Sequence, residues 1–125
     1  MSRPFSDAER VLLQRLASAA PDAGLLLAQV ALAEHDGWWF EGSQSFDIAT
    51  PDHAPEYFAG RLLSDGRQIG PGCSVRVDGA KPDSDANYIG EIFLWLRDGR
   101  LTAMEYYWVT DEMPDSLPRL DQLVD

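Results

Sequence analysis

The chain has 125 residues, enough for one domain with a single hydrophobic core. Hydrophobic residues make up 45% of it, which excludes wholesale disorder. With 21 acidic residues against 10 basic ones, the net charge of −11 disfavours binding to nucleic acids and to anionic membranes. The same charge favours a basic partner through electrostatic steering, although acidity is also an ordinary means of solubility.

The sequence predicts a cytoplasmic protein with a single domain over residues 1–125. No apolar run approaches the ~18 residues that a membrane-spanning helix needs. The first ten residues lack the apolar centre of a signal peptide. Cys73 is the only cysteine, so no intrachain disulfide is expected.

A helix is predicted over residues 7–19. Ser6 and Glu9 have the spacing of a capping box, and Phe5 is placed to pack back onto the first turn. The expected apolar stripe consists of residues at helical spacing: Ala8, Val11, Leu12, Leu16 and Ala19.

The middle of the chain predicts short strands separated by turns. Residues 25–33 are apolar except for Gln29 and are assigned to a buried strand, although their pattern leaves a helix open. A turn is expected at residues 34–37. Residues 45–49 alternate as a strand, and residues 56–63 are assigned to a strand rather than to a helical turn.

Glycine and proline residues predict turns and kinks in the next part of the chain. We expect a turn at residues 64–66 and a kink at residues 69–72. Residues 74–78 alternate as a strand. Residues 79–87 are predicted to form a loop.

Two long strands, residues 89–97 and 100–110, are predicted to form a β-hairpin. Asp98 and Gly99 between them are typical of a type I′ turn, in which both residues need positive φ. One face of this hairpin is expected to hold Ile92, Leu94, Leu96, Leu101, Ala103, Tyr107 and Val109. The other is expected to hold Phe93, Trp95, Met104, Tyr106 and Trp108, together with Glu91, Arg97 and Arg100. We expect both faces to be buried, with an exposed aromatic patch for a partner as the alternative.

A two-residue turn places Leu96 opposite Leu101 and Ile92 opposite Glu105. A carboxyl group among apolar residues would have a raised pKa and could serve in acid–base chemistry. The preferred interpretation is that Glu105 pairs with an arginine or lies near an exposed edge.

No catalytic, metal or cofactor site is predicted. The two histidines, His35 and His53, lack metal-ligand spacing, and His35 beside Asp36 is interpreted as a solvated turn pair. Cys73 enters a strand with no cation nearby, so we expect a buried or incidental thiol. The absence of a catalytic constellation favours a binding protein over an enzyme.

Three consecutive aromatic residues, Trp38, Trp39 and Phe40, stand without a basic residue near them in sequence. This context disfavours stacking on nucleic acid. Such a cluster is usually part of the core or, when exposed, an anchor for a protein partner.

The C-terminal hairpin carries three short motifs: Asp98-Gly99-Arg100-Leu101, Met104-Glu105-Tyr106-Tyr107-Trp108 and Thr110-Asp111-Glu112-Met113-Pro114. In these motifs residues 91–118, about a quarter of the chain, resemble small bacterial proteins of polymorphic-toxin and contact-dependent-inhibition loci. Some of those proteins have a Cys-rich turn further upstream. Residues 42–47 occupy that place here without cysteine, so no metal role is expected.

The resemblance implies an immunity protein, a cytoplasmic inhibitor that binds and blocks one cognate basic toxin domain, such as a nuclease. On this hypothesis the acidic residues that mimic phosphates are Asp111, Glu112 and Asp115, with Asp83 and Asp85 as a second possible contact. The hydrophobic anchors would come from Trp38, Trp39 or Trp108.

The predicted fold is a single α+β domain in which one N-terminal helix packs on a mostly antiparallel sheet of about five strands. The alternative function is a small-ligand-binding or enzymatic domain similar to the nuclear-transport-factor-2 superfamily. That alternative predicts an open pocket lined by Trp38, Phe93, Trp95 and Tyr106. A third possibility is an interaction domain whose acidity serves only solubility.

Overall fold

The structure, a computed structural model, describes residues 2–78 and 85–125, with the backbone alone at Asp85. In these residues two helices pack on an antiparallel sheet of seven strands, so the predicted α+β fold is confirmed with a larger sheet and a second helix. The helices are α1 (Asp7–Ser18) and α2 (Ala23–Leu32). The strands are β1 (Glu34–Trp38), β2 (Phe46–Ala49), β3 (Arg61–Leu62), β4 (Arg67–Arg76), β5 (Tyr88–Arg97), β6 (Arg100–Trp108) and β7 (Leu123–Val124).

Helix α1 begins with the predicted capping box. Ser6 Oγ accepts a hydrogen bond from the Glu9 backbone N–H at 3.2 Å, and the Glu9 carboxylate accepts one from the Ser6 N–H at 2.9 Å. The buried face is rotated from the predicted stripe and consists of Glu9, Leu12, Leu13, Leu16 and Ala17. Val11 is exposed instead, because the i, i+3, i+4 series that continues from Glu9 faces the core.

Residues 25–33, predicted as a strand, lie mostly in α2, so that assignment was wrong. Uniform apolarity is compatible with a buried helix as well as with a buried strand. Leu and Ala are strong helix formers, and their helix propensity favours the helix. The polar Gln29 is buried, where its Nε2 donates to the carbonyls of Pro55 (2.7 Å) and Gly99 (2.8 Å). Its Oε1 accepts the Leu101 N–H at 2.8 Å. Gln29 therefore joins α2 to the turn of the C-terminal hairpin.

The strands have the order β1-β2-β6-β5-β4-β3, and β7 also pairs with β4. The predicted turn at residues 34–37 was wrong, since these residues extend as β1 after α2 ends and pair with β2. Most of the predicted strand at residues 56–63 is irregular; only β3 is extended. The predicted kink at residues 69–72 is a bulge inside the continuous strand β4. The predicted loop at residues 79–87 lies largely outside the described residues.

The predicted β5–β6 hairpin is confirmed, and Asp98 (φ 52°) and Gly99 (φ 79°) have the positive φ of a type I′ turn. Leu96 lies opposite Leu101 as predicted. Beyond this pair Thr102 forms a bulge, so the predicted pairing of Ile92 with Glu105 was wrong. The observed pairs are Ile92 with Tyr106 and Phe93 with Glu105.

The bulge decides which residues enter the core. The buried cluster joins α1 and α2 to the inward residues of the hairpin: Ile92, Leu94, Leu96, Leu101, Met104 and Tyr106. Between them on β5, Glu91, Phe93 and Trp95 are only partly buried, and Tyr107 on β6 is 39% exposed. The expectation that both faces are buried was therefore wrong. We call Asp47, Glu91, Phe93, Trp95, Glu105 and Tyr107 the open sheet face.

Candidate partner-binding surface

The three aromatic residues at the end of β1 and directly after it are all exposed. Trp38, Trp39 and Phe40, here called the tryptophan loop, expose 46%, 41% and 50% of their surface. The loop turns back towards β2 through hydrogen bonds from the Ser43 N–H to the Phe40 carbonyl (3.0 Å) and from the Trp39 N–H to the Ser45 carbonyl (3.1 Å). Exposed aromatic side chains are enriched in protein–protein interfaces relative to the rest of a protein surface.

Contacts with neighbouring side chains hold the two indoles of the loop in place. The Trp38 ring contacts the buried rings of His35 and Phe46, with centroids 4.6 and 5.7 Å away. The Trp39 Nε1–H donates to Asp47 Oδ1 at 3.1 Å. Because the rings are already anchored, a partner would lose little side-chain entropy in contacting them.

The acidic segment after β6, residues 111–115, meets the tryptophan loop. Asp111, Glu112 and Asp115 are exposed, and the Thr110 Oγ1 donates to the Glu112 carbonyl at 2.9 Å. A cleft of about 440 Å³ lies between loop and segment, lined by Trp38, Gly42, Ser43, Gln44, Met113, Pro114 and Asp115. We call it the Trp38 cleft. The structure thus brings together Trp38 and Asp115, two residues predicted from sequence to contact the same partner.

The other predicted contact residues have different positions. Trp108 is half-buried at the end of β6. Asp83 lies outside the described residues, and only the backbone of Asp85 is described, in a single 3₁₀ turn (Asp85–Asn87). Three further carboxylates near the loop in sequence, Asp36, Glu41 and Asp47, are exposed.

The open sheet face is a second aromatic surface, which the sequence analysis gave only as the alternative to burial of both hairpin faces. Phe93 contacts Trp95 and Tyr107, with ring centroids 5.3 and 6.4 Å apart. The Trp95 Nε1–H donates to Glu105 Oε1 at 2.8 Å, so Glu105 lies on this face rather than in the core. The predicted register misplaced Glu105 and Tyr107 because a bulge has no clear sequence signal when it falls on a threonine inside a strand.

The pocket expected for the ligand-binding alternative is not assembled. Tyr106 is buried in the core, where burial raises its pKa to about 12. Phe93 and Trp95 lie on the open sheet face, and Trp38 lies at the Trp38 cleft. These four side chains therefore do not line one cavity.

His35 was predicted as a solvated turn residue, and this was wrong. It is 2% exposed and stacks on Phe46 at 4.4 Å. Its Nδ1 accepts the Gly37 N–H at 3.1 Å, and its Nε2 lies 3.8 Å from Glu9 Oε2. Burial lowers the pKa of His35, against the charge of Glu9, which acts to raise it.

Glu9 joins this buried histidine to the N-terminal segment. Its carboxylate accepts two hydrogen bonds from the Arg3 guanidinium, both at 2.9 Å. Burial acts to raise the pKa of Glu9, but the Arg3 and Ser6 hydrogen bonds and the Arg3 charge outweigh it, so the net pKa is lowered. Arg3 also pairs with His35 through two backbone hydrogen bonds. The cluster fastens the N-terminal segment to β1.

Cys73 is buried, and its Sγ donates to Asp125 Oδ1 at 3.2 Å. Burial, with the Asp125 hydrogen bond, raises its pKa to about 11, which leaves little thiolate for nucleophilic chemistry. Across the described part of the chain, no three histidine, cysteine or carboxylate side chains gather in a metal-binding group.

Comparison with protein-family models, curated proteins and solved structures gives no significant match to this chain. Among the described residues, no helix has the length and apolarity needed to cross a membrane.

Proposed function

We propose that this protein is an immunity-type inhibitor that binds a basic toxin domain through the tryptophan loop and the acidic segment 111–115. The observation that carries the proposal is the Trp38 cleft, where an exposed, anchored indole and the exposed carboxylate of Asp115 border the same opening. The resemblance of the C-terminal hairpin to immunity proteins supports the same conclusion.

The two components of this surface serve different parts of binding. Tryptophans are enriched among the residues that dominate the energy of protein interfaces. Exposed carboxylates at the rim act chiefly on the association rate and on specificity. A net charge of −11 steers a basic domain towards this chain, and salt weakens that steering.

Nucleases are a natural class of target because their substrate-binding surfaces are basic. Asp111, Glu112 and Asp115 would present carboxylates to cations that otherwise bind phosphates. Inhibition by occupation of that surface needs no cofactor, no metal and no catalytic residue on this chain. It would take place in the bacterial cytoplasm, where an incoming nuclease finds its substrate.

The test is capture of the partner by the tagged full-length chain from an extract of the native organism at low and high salt. We expect one basic domain, retained at low salt and released at high salt. Co-expression of the two proteins should restore growth that the captured domain alone arrests. Absence of a specific partner at either salt concentration, with the bait folded, would contradict the proposal.

A further inference from the structure

The edge of β4 carries a gap between two short strands. Strand β3 pairs with Gln68 and Ile69, and β7 pairs with Ser74 and Val75, while β5 covers the opposite edge. Between these pairings a cleft of about 580 Å³ opens, lined among others by Arg61, Ile69, Gly72, Glu91, Phe93 and Tyr107. It extends onto the open sheet face.

Gly72 forms the floor of this cleft opposite Phe93. A Cβ at Gly72 would come within 2.5 Å of the Phe93 Cβ and 2.7 Å of the Ile92 carbonyl oxygen, so no side chain fits there. The close approach of β4 to β5 at this point therefore requires glycine.

Two other aromatic rings of β5 already stack with guanidinium groups of the chain itself. The Arg67 guanidinium lies over the Trp95 ring, 4.5 Å from its centroid. Arg76 lies over Tyr88 at 4.9 Å. Phe93 and Tyr107 lie between these two pairs, and no guanidinium of the described residues lies over either ring.

A carboxylate oxygen in the wall lacks a partner. Glu91 Oε2 is buried and accepts no hydrogen bond from the described residues. A buried acceptor without a donor costs free energy that an incoming donor restores. A group that donates hydrogen bonds, carries positive charge and stacks on an aromatic ring would complement both the Glu91 carboxylate and the uncovered rings of Phe93 and Tyr107.

We propose that the cleft over Gly72 binds the guanidinium group of an arginine side chain carried by the basic partner. Guanidinium combines a planar donor fork that fits a carboxylate with a face that stacks on aromatic rings, which an ammonium group lacks. The source of the arginine rests on the proposed function; the chemistry of the cleft does not. Arg61, an exposed cation on the rim, would compete for the same carboxylate.

The test is an NMR titration of the ¹⁵N-labelled full-length chain alone with ethylguanidinium, ethylammonium and uncharged ethylurea at constant ionic strength. We expect saturable amide shifts at Gly72, Ser74, Glu91 and Phe93 with ethylguanidinium, with a midpoint on the order of 1 mM, as befits a single group. Ethylammonium should bind more weakly, and ethylurea should give no saturable shift at these amides.

Three variants and one control sharpen this test. Glu91→Gln removes the charge and should weaken ethylguanidinium binding about 10-fold. Phe93→Leu keeps apolar volume without a ring and should weaken it about 3-fold. Arg61→Gln should tighten it by removal of a competing cation. Glu112→Gln removes one charge from segment 111–115 and should leave the midpoint unchanged.

Shifts that do not saturate, that spread over all acidic residues, or that persist with the same midpoint in both Glu91→Gln and Phe93→Leu would overturn the proposal. Equal shifts with ethylurea would also overturn it. Dispersed spectra of each variant establish that it is folded. The titration omits the partner, so its outcome is independent of the capture experiment. Ethylguanidinium can fail to bind the cleft while capture of a basic domain succeeds, and it can bind the cleft while capture fails.

Discussion

The helix-covered face and the open face of the sheet are built from alternate residues of the same strands. On β5, Ile92, Leu94 and Leu96 are fully buried, whereas their neighbours Phe93 and Trp95 remain partly exposed although they are as large and apolar. Burial of apolar surface is the main source of stability, so the covered face holds the fold together. The open face and the tryptophan loop keep aromatic surface that folding does not use and that remains free for a partner.

The largest difference between the two faces should appear in how much a substitution lowers the free energy of unfolding. Leu94→Ala should lower the free energy of unfolding by about 3 kcal/mol because it removes a fully buried side chain and leaves a cavity. Tyr107→Ala, on the open face of β6, should lower it by about 1 kcal/mol or less. Urea denaturation measures both, and equal losses would show that the open face is part of the core.

Glu9 is a buried charge that stabilises the fold, in contrast to the exposed carboxylates proposed for binding. Glu9→Gln should lower the free energy of unfolding by about 2 kcal/mol because it weakens charge-assisted hydrogen bonds from Arg3 and Ser6. The matched control is Asp7→Asn, an exposed carboxylate in the same helical turn, with a change of about 0.5 kcal/mol or less. Similar losses for the two variants in chemical denaturation would contradict the role assigned to Glu9.

His35 should make stability depend on pH. Its pKa is lowered in the folded protein, so the unfolded chain binds a proton first as pH falls below about 6.5. Stability should therefore fall between pH 7 and pH 5, and His35→Gln should flatten this slope. Glu9, whose folded pKa is also lowered, adds a further loss only below its unfolded pKa of about 4.3.

The control for this pH profile is His53→Gln, which replaces the exposed second histidine and should retain the wild-type slope. Thermal melts of the wild type and of both histidine variants across the pH range compare their slopes. A slope that survives His35→Gln but disappears in His53→Gln would show that the buried histidine is not its origin.

The smallest effect on folding is expected in the tryptophan loop. Trp39→Ala should change the free energy of unfolding by about 0.5 kcal/mol, since Trp39 is 41% exposed and its indole has one surface hydrogen bond to Asp47. A loss comparable to that of Leu94→Ala in the same denaturation experiment would mean that the loop is structural.

The sequence was enough to predict those elements whose signal lies within a few consecutive residues. The capping box at Ser6 and the Asp98-Gly99 turn follow from side-chain and backbone geometry within four residues, and both are confirmed. Helix α2 was mistaken for a strand because uniform apolarity does not distinguish a buried helix from a buried strand. The burial of Gln29 against the hairpin turn, which explains that polar residue, is a contact made 70 residues away.

The candidate site was predictable in composition but not in arrangement. Trp38 and Asp115 were chosen from sequence for aromatic and acidic character, yet their meeting at one cleft depends on the path of the chain after β6. The bulge at Thr102 moved Glu105 and Tyr107 to the open face, which reversed part of the predicted hairpin. The burial of His35 beside Glu9 could have been recognised only from the packing of α1, since Glu9 lies 26 residues before His35 in the sequence.

The most direct test of the central claim compares two charge-matched triple variants in binding to the captured basic domain. One variant neutralises the proposed surface through Asp111→Asn, Glu112→Gln and Asp115→Asn. The other removes the same number of charges elsewhere, at the exposed residues Asp7, Asp52 and Asp121. Both are measured by surface plasmon resonance beside the wild type.

The account predicts that the first variant loses about 10-fold in association rate, while the second stays within about 2-fold of the wild type. Equal losses in the two variants would mean that net charge alone drives binding and would contradict the assignment of the partner-binding surface.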